Sequence, residues 1–271
     1  MLKYCIILLV IFMNEKELVN YYNKFKEDKR LDTKHGQVEF LTAIKYIEEY
    51  LKEYKNPKIL DIGAGTGKYS IYLKNLGYNI EAVELVKQNI NIFKSKHINI
   101  PFHLGNATNL NMFEDNTFDI VLLFGPMYHL ISMDDKIKAL KEAKRVVKKD
   151  GLIFISYCMN EYAIITHGFR ENYIKDSLKN NLIDDNFHII SKDNDLYSFV
   201  RLDEINYLKD KLNLERIKII SQDGSTEYLK KEINKMDDET FNLFLKYHFK
   251  TCESKYLLEA SRHTLDILKK V

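Results

Sequence analysis

The chain has 271 residues, of which 45% are hydrophobic and 30% charged, and its formal net charge is +2. This is an ordinary globular composition, and it excludes both a disordered chain and one with a strongly basic field for nucleic acid. The three cysteines (Cys5, Cys158 and Cys252) are too far apart for a disulfide framework or a C-x-x-C zinc site. We therefore expect a cytoplasmic protein without a membrane or nucleic-acid partner.

An apolar block, YCIILLVIFM, covers residues 4–13. It is too short to span a bilayer. It is similar to the apolar region of a signal peptide, but no small-residue cleavage site follows it. We favour a translation start at Met13 over a targeting segment, which makes residues 1–12 an apolar leader. Residues 13–56 are predicted to be helical, since Val38, Leu41, Ile44 and Ile47 recur at helical spacing.

The segment KILDIGAGTGKYSIYL at 58–73 combines three local signals. A short apolar run predicts a buried parallel strand, a glycine-rich turn follows at 63–67, and a helix pattern runs on from Tyr69 to Gly77. Glycines let a backbone approach a ligand closely, and the helix N-terminus offers free N–H groups. The spacing matches neither the dinucleotide fingerprint G-x-G-x-x-G nor a P-loop.

The pattern that remains, D-x-G-x-G-x-G, resembles motif I of the class I S-adenosylmethionine (SAM)-dependent methyltransferases. The resemblance implies that SAM is the cofactor and that this loop passes under its methionine part. The implied cofactor-binding residues of the motif are Asp61, Gly63, Ala64, Gly65 and Gly67. The alternative is a structural strand–turn–helix that holds no ligand.

The second strand is predicted at 78–85 and ends in an acid, Glu84, followed by Leu85. A carboxylate can accept hydrogen bonds from both ribose hydroxyls. Glu84 has the spacing from Asp61 that the family shows, and both Glu84 and Leu85 are predicted to bind the cofactor. Glu81 is the competitor, although it lies in mid-strand.

A short third strand at 101–104 leads into Gly-Asn-Ala-Thr. The family commonly has Gly-Asp-Ala here, with the acid accepting a hydrogen bond from the adenine amino group. The amide oxygen of Asn106 can accept the same bond, so Asn106 and Ala107 are predicted to contact adenine. Asn106 could equally be a simple turn former.

The fourth strand, at 118–124, ends in Phe124 and continues as Gly-Pro-Met-Tyr-His-Leu. In an open α/β sheet, ligands bind beyond the carboxyl ends of the strands. This loop looks like that of small-molecule methyltransferases of the ubiquinone/menaquinone-biosynthesis type. Phe124 is predicted to contact the cofactor, whereas Tyr128 and His129 would orient the acceptor or take its proton. His129 could instead be structural.

The rest of the chain predicts how the fold is completed. A helix is expected at 133–149, strands at 152–157 and 214–220, a helix around Phe241, and a last, antiparallel strand at 263–268. The fold class is α/β, with a seven-stranded Rossmann-like doubly wound sheet. The SAM-binding core is 57–157, an inserted substrate cap is 158–212, and 213–271 completes the sheet. By the resemblance, N-terminal helices fold over the pocket, which makes Tyr21, Tyr22, Arg30, His35 and Glu39 candidate pocket residues.

The predicted function is transfer of the SAM methyl group to an O, N, S or C atom of a small-molecule acceptor by in-line displacement, without a metal. Residues 157–212 carry seven Lys and Arg against ten Asp and Glu, a net charge of −3. This suits a cationic or neutral acceptor and disfavours nucleic acid. An RNA or protein methyltransferase and a non-catalytic SAM-binding module remain alternatives. A Cys158–Cys252 cluster, as an arsenite methyltransferase would require, is a further one.

Overall fold

The computed structural model describes residues 18–22 and 29–271. The predicted leader, residues 1–12, and the start at Met13 lie outside the described residues. No helix in the described part of the chain is long and apolar enough to cross a bilayer.

Seven strands of the described chain form one sheet in the order β3-β2-β1-β4-β5-β7-β6. β7 runs antiparallel to both of its neighbours, and β1 to β5 pair in parallel. The predicted seven-stranded, doubly wound α/β fold is thereby confirmed. The strands are β1 (Lys58–Ile62), β2 (Asn79–Glu84), β3 (Phe102–Leu104), β4 (Phe118–Leu123), β5 (Val147–Cys158), β6 (Leu214–Ser221) and β7 (His263–Lys270).

The helices cover both faces of the sheet or lie in the segments that follow β5 and β6. They are α1 (Lys34–Leu51), α2 (Lys68–Asn75), α3 (Lys87–Ser95), α4 (Met133–Val146), α5 (Asn160–Ala163), α6 (Ile174–Lys179), α7 (Leu202–Lys211), α8 (Lys230–Ile233) and α9 (Asp238–Thr251), with a π-helix at Ile164–Arg170 and 3₁₀ turns at Pro126–Tyr128 and Lys255–Leu257. Side-chain oxygens of Thr33, Ser132 and Asp237 accept hydrogen bonds from backbone N–H groups in the first turns of α1, α4 and α9.

Alternate side chains of the central strands enter two separate cores, as the two-residue period of a strand requires. Leu60, Val121 and Ile153 pack on the face covered by α4 and α7. Ile59 and Ile120 pack on the opposite face, with α1 and α2. Burial on both faces explains why these strands read as continuous apolar runs.

Two predicted boundaries are wrong. The helix expected at 133–149 ends at Val146, because Val147 already pairs with Phe118 as the first residue of β5. Asp150 and Gly151, which precede the strand predicted at 152–157, lie inside β5, where the register to β4 shifts and Asp150 has a φ of 63°. A bulge residue with positive φ has the same sequence signal as a turn.

Part of the predicted cap packs against the core. Its residues Leu202–Lys211 form α7, whose Ile205 and Leu208 are fully buried in the core that α4 shares with the sheet. α7 is therefore a crossover helix of the core between β5 and β6. The segment that departs from the regular alternation is 159–201. Its role in binding an acceptor stays a prediction.

Asp266, fully buried in β7, accepts two hydrogen bonds from Arg216 of β6, at 2.7 and 2.8 Å. Arg216→Met would leave a buried carboxylate without its partner, so we expect unfolding free energy to fall by about 3 kcal/mol or more in urea titrations. The double change Arg216→Met with Asp266→Leu should recover most of that loss. Lys269→Met is the control: Lys269 lies on β7 like Asp266 but at the surface, so the change should leave the urea midpoint nearly unchanged. A single variant as stable as the wild type would contradict the assignment.

Candidate functional site

A crevice lies where the carboxyl ends of β1, β2 and β4 meet at one edge of the sheet, the position at which open α/β sheets bind ligands. The glycine loop after β1 forms its floor, and the loop after β4 faces it. Fourteen of the predicted residues line this crevice. Eleven come from the core: Asp61, Gly63, Ala64, Gly65, Glu84, Leu85, Asn106, Ala107, Phe124, Tyr128 and His129. Three come from the N-terminal candidates: Tyr22, Arg30 and Glu39.

The glycines of the loop serve different purposes. Gly65 lines the crevice with a φ of 58°, and its N–H donates to Glu84 Oε2 at 2.8 Å. Gly63 has a φ of 72°, and a Cβ there would lie 2.5 Å from the Pro126 ring. Gly67 is absent from the lining of the crevice, and a Cβ there would lie 2.6 Å from the ring of Phe93; its predicted contact with the cofactor stays a prediction. Packing thus requires the first and third glycines, and the middle one faces the ligand space.

Glu84 ends β2 with its side chain buried and both oxygens engaged. Oε2 accepts from the Gly65 N–H, and Oε1 accepts from the Val86 N–H at 2.7 Å. The Asn89 side chain and the Leu85 N–H also hydrogen-bond this carboxylate, so ribose hydroxyls would share its oxygens with these donors or replace them. Burial raises the pKa of Glu84. Glu81, the competitor, is absent from the crevice lining and pairs with Lys58 at 2.8 Å.

Asp61 lies beneath the loop, 2% exposed, and accepts a hydrogen bond from Ser70 Oγ at 2.6 Å. Burial raises the pKa of Asp61 to about 7, against the effect of the Ser70 hydrogen bond and with a contribution from the nearby Glu84. Two carboxyl groups therefore lie close together at this edge of the sheet, and the ionised form of each is disfavoured.

Asn106 forms an Asx turn. Its Oδ1 accepts from both the N–H and the hydroxyl of Thr108, each at 3.0 Å. Asn106 therefore acts as a turn former, which was the alternative interpretation. Because Thr108 uses both lone pairs of Oδ1, an adenine amino group could bind this oxygen only by displacing Thr108. The predicted adenine contact of Asn106 and Ala107 stays a prediction.

His129 is 8% exposed and held at both ring nitrogens. Nδ1 lies 2.7 Å from the Leu196 carbonyl oxygen and must donate to it, so Nε2 accepts from the Tyr22 hydroxyl at 2.8 Å. Burial lowers the pKa of His129 to about 4, although the Leu196 hydrogen bond opposes the shift. The geometry therefore fixes a neutral imidazole whose acceptor nitrogen is directed at Tyr22.

The remaining N-terminal candidates do not line the crevice. His35 hydrogen-bonds Asn234 and Thr33, at 3.1 and 2.8 Å, and so joins α1 to the segment after β6. Tyr21 accepts a hydrogen bond from Tyr197 at 3.2 Å and lines a second cavity beside the crevice.

Sequence reasoning missed an ion network behind the crevice. Arg30 donates to both oxygens of Glu39, at 2.6 and 3.0 Å, and Asp223 Oδ2 lies 2.7 Å from His263 Nδ1. Burial opposes ionisation of His263, but the carboxylates of Glu39 and Asp223 raise its pKa to about 10. Burial would raise the pKa of Glu39, but Arg30 and His263 hold it down at about 2. The four groups thus carry balanced charges.

No metal is assigned to this network. Glu39, Asp223 and His263 form the one group in the described part of the chain whose donor atoms are close enough to share an ion. Arg30 already neutralises Glu39, and His263 is directed at Asp223 through the nitrogen that would bind the metal. No sequence signal linked these residues: His263 opens β7, and only the antiparallel direction of β7 brings it to this edge beside Cys158.

The cysteine-cluster alternative receives no support. Cys158 and Cys252 are free and buried. Cys252 contacts the Tyr46 hydroxyl at 3.3 Å, and neither cysteine belongs to a potential metal-binding group within 18–22 and 29–271.

The raised pKa of Asp61 predicts how stability depends on pH. The folded protein retains a proton on Asp61 that the unfolded chain releases above its ordinary pKa of 3.8, so stability should fall as pH rises from about 4 to about 7. Asp61→Asn removes this titration, so the variant should show a shallower fall in melting temperature and exceed the wild type at pH 8. The exposed Asp134→Asn is the control. Parallel profiles for the wild type and Asp61→Asn would contradict the prediction.

Comparison with known proteins agrees with this geometry. A family model described as a methyltransferase domain matches residues 60–155. The chain is 28% identical over 193 residues to the ubiquinone biosynthesis O-methyltransferase of Pelagibacter ubique, covering 60% of this chain and 75% of that one. It is 30% identical over 139 residues to the ribosomal protein L11 methyltransferase of Dictyoglomus thermophilum, covering 50% of this chain but only 43% of that one.

A solved structure has the same fold. It is a SAM-dependent methyltransferase of Thermotoga maritima, described as a possible histamine N-methyltransferase, with a TM-score of 0.57 and 19% identity. The alignment covers 95% of this chain and all of that one. The strand order and the glycine loop at the end of β1 are those of a class I SAM-dependent methyltransferase, and the methyltransferase-domain model matches this part of the chain.

Proposed function

We propose that this enzyme transfers the methyl group of SAM to a small-molecule acceptor and that the crevice at the ends of β1, β2 and β4 holds the cofactor. One observation carries the assignment of the site: the Gly65 N–H donates to Glu84 at 2.8 Å, so the bare backbone of the loop and a ribose-binding carboxylate face one space. When bound, SAM supplies an electrophilic methyl group on its sulfonium.

The residues of the crevice fit the parts of the cofactor. Glu84 is proposed to hold the ribose through its carboxylate oxygens, and the backbone from Gly63 to Gly65 faces the methionine part. Leu85 and Phe124 offer apolar surface for the adenine. Since methyl transfer to a nucleophile needs no covalent enzyme intermediate, the protein contributes alignment and exclusion of water.

The acceptor side supports a small molecule. Tyr22, Tyr128 and Tyr197 surround His129 with ring centroids 4.8 to 5.6 Å from its own, so aromatic side chains cover this end of the crevice. The relative named for ubiquinone biosynthesis and the structure described as a possible histamine N-methyltransferase fit such an acceptor. The relative named for ribosomal protein L11 keeps a protein acceptor as the second candidate.

The test of the proposed function is release of S-adenosylhomocysteine from SAM in the presence of candidate acceptors. Small phenols, amines and thiols are compared with ribosomal protein and RNA fractions under the same conditions. Gly65→Val, which places a branched side chain at a φ of 58° in the ligand space, is the inactive control. Release with macromolecular fractions alone would overturn the small-molecule assignment, and SAM binding without any release would favour the non-catalytic module.

Glu84→Ala should lower SAM affinity at least about tenfold, because it removes charge-assisted hydrogen bonds of about 1.5–3 kcal/mol each. Titration calorimetry measures the effect. Glu81→Ala is the matched control, an acid of the same strand outside the crevice, and should bind SAM as the wild type does. If Glu81→Ala lowered SAM affinity and Glu84→Ala did not, the ribose would be bound by Glu81 instead.

His129 is proposed to orient the acceptor rather than to take its proton, because its acceptor nitrogen is directed at Tyr22 and its pKa is low. With an identified acceptor, His129→Ala should raise the acceptor KM about tenfold or more while kcat falls less. Tyr22→Phe, which removes the same hydrogen bond, should act in the same direction. A wild-type kcat profile with an acidic limb near pH 6.5 that His129→Ala abolishes would establish a general base instead.

A further inference from the structure

A second cavity of about 650 Å³ lies beside the crevice, at the same edge of the sheet. Cys158, the last residue of β5, and Arg262, immediately before β7, form its base. The segments after β5 and β6 supply most of the walls, which carry both aromatic and charged side chains. The aromatic ones are Tyr162, Tyr197, Phe199 and Tyr228, and Tyr21 adds a further ring. Its volume and its aromatic lining are typical of a small-molecule site.

Arg262 lies at the base of a cavity that is also lined by charged side chains of both signs: Arg170, Lys230, Lys231, Glu171, Glu227 and Glu232. Its guanidinium lies 3.3 Å from Glu227 and 6.0 Å from the centre of the Tyr162 ring, and its side chain is 27% exposed. Within the described part of the chain, the other N–H groups of its guanidinium make no hydrogen bond to protein atoms. A planar guanidinium with unused donors in an aromatic cavity is suited to a carboxylate, which it can bind through two parallel hydrogen bonds.

Two further features fit an anionic ligand. The Tyr228 hydroxyl is buried and, within the part of the chain that the structure describes, has no hydrogen-bond partner; burial raises its pKa to about 12, so it is a donor at neutral pH. The acid nearest to Arg262, Glu227, is already shared with His35 at 3.5 Å and Lys230 at 3.9 Å. A ligand carboxylate therefore meets available donors and a neutralised acid.

The cavity and the crevice are adjacent, and aromatic side chains lie where they meet. Tyr197 lines the cavity, and its ring centroid lies 5.1 Å from that of His129, which lines the crevice. Tyr21 and Tyr22 are consecutive residues that line the cavity and the crevice respectively. The positive charge of Arg262 also helps to hold down the pKa of Glu39 in the crevice. A ligand in the cavity therefore lies next to the proposed cofactor space.

We propose that this second cavity recognises the methyl acceptor and that the acceptor is a small aromatic carboxylate whose carboxylate is bound by Arg262 and Tyr228. The assignment to the acceptor rests on the proposed function; the binding of an aromatic carboxylate does not. An anionic acceptor differs from the cationic or neutral one expected from the net charge of residues 157–212. Of the ten acids in that segment, only Glu171 lines the cavity, and it pairs with His167 at 2.8 Å.

Binding is tested with benzoate, benzamide and benzylamine, which share one ring and differ in charge. Calorimetry is done on the full chain saturated with S-adenosylhomocysteine. Benzoate should bind at least about tenfold more tightly than the other two, Arg262→Gln should abolish that preference, and Tyr228→Phe should weaken benzoate several-fold without loss of stability, since its hydroxyl has no partner to lose. Lys179→Gln, the same loss of charge at an exposed site of the cap, should change nothing.

Equal affinity for benzoate and benzamide, or benzoate binding that survives Arg262→Gln, would overturn the carboxylate site.

For the acceptor role, hydroxy- and amino-benzoates are incubated with SAM, and release of S-adenosylhomocysteine should be inhibited competitively by benzoate. Release only with uncharged acceptors would refute the acceptor class and leave methyl transfer standing. Failure of SAM itself to bind would refute the proposed function and leave the Arg262-dependent binding of benzoate measurable.

Discussion

The hydrogen bond from the Gly65 N–H to the Glu84 carboxylate is the interaction on which the site depends. It joins the loop after β1 to the end of β2, two neighbouring parallel strands. Because Glu84 also accepts from Val86 at the start of the next helix, one buried carboxylate determines the position of both connections. Gly63 packs closely against the ring of Pro126. This contact positions the loop after β4 against the same glycine turn.

Burial of charge is the second constraint at this edge of the sheet. Asp61 and Glu84 lie close together with raised pKa values, whereas Arg30, Glu39, His263 and Asp223 neutralise one another in a separate network. Breaking such a network by removing one partner costs far more than a surface ion pair does, since the remaining charge stays buried. The arrangement leaves His129 neutral between them and available for orientation.

The strands and the glycine loop could be predicted because their signals are local. An apolar run, the glycine spacing and an acid at a fixed distance along the chain are sufficient to identify β1, β2 and Glu84. The reason for each glycine was not predictable, because Gly67 is required by Phe93, a side chain of another helix. The end of α4 was misjudged, since a bulge and a turn select the same Asp-Gly pair.

The lining of the second cavity was not predicted, although the antiparallel direction of the last strand was. His263 and Arg262 reach the site only because β7 enters the sheet antiparallel, and Tyr197 and Tyr228 come from two irregular segments that meet above it. Net charge along a segment did not report the charge of the cavity, because most of the acids face away from it.

The central claim is that the crevice between the glycine loop and Glu84 is the cofactor site. A crystal structure with S-adenosylhomocysteine tests it most directly. The account predicts both ribose hydroxyls within hydrogen-bonding distance of the Glu84 carboxylate and the homocysteine over the backbone of Gly63 to Gly65. A ligand bound elsewhere, or with its ribose away from Glu84, would contradict it.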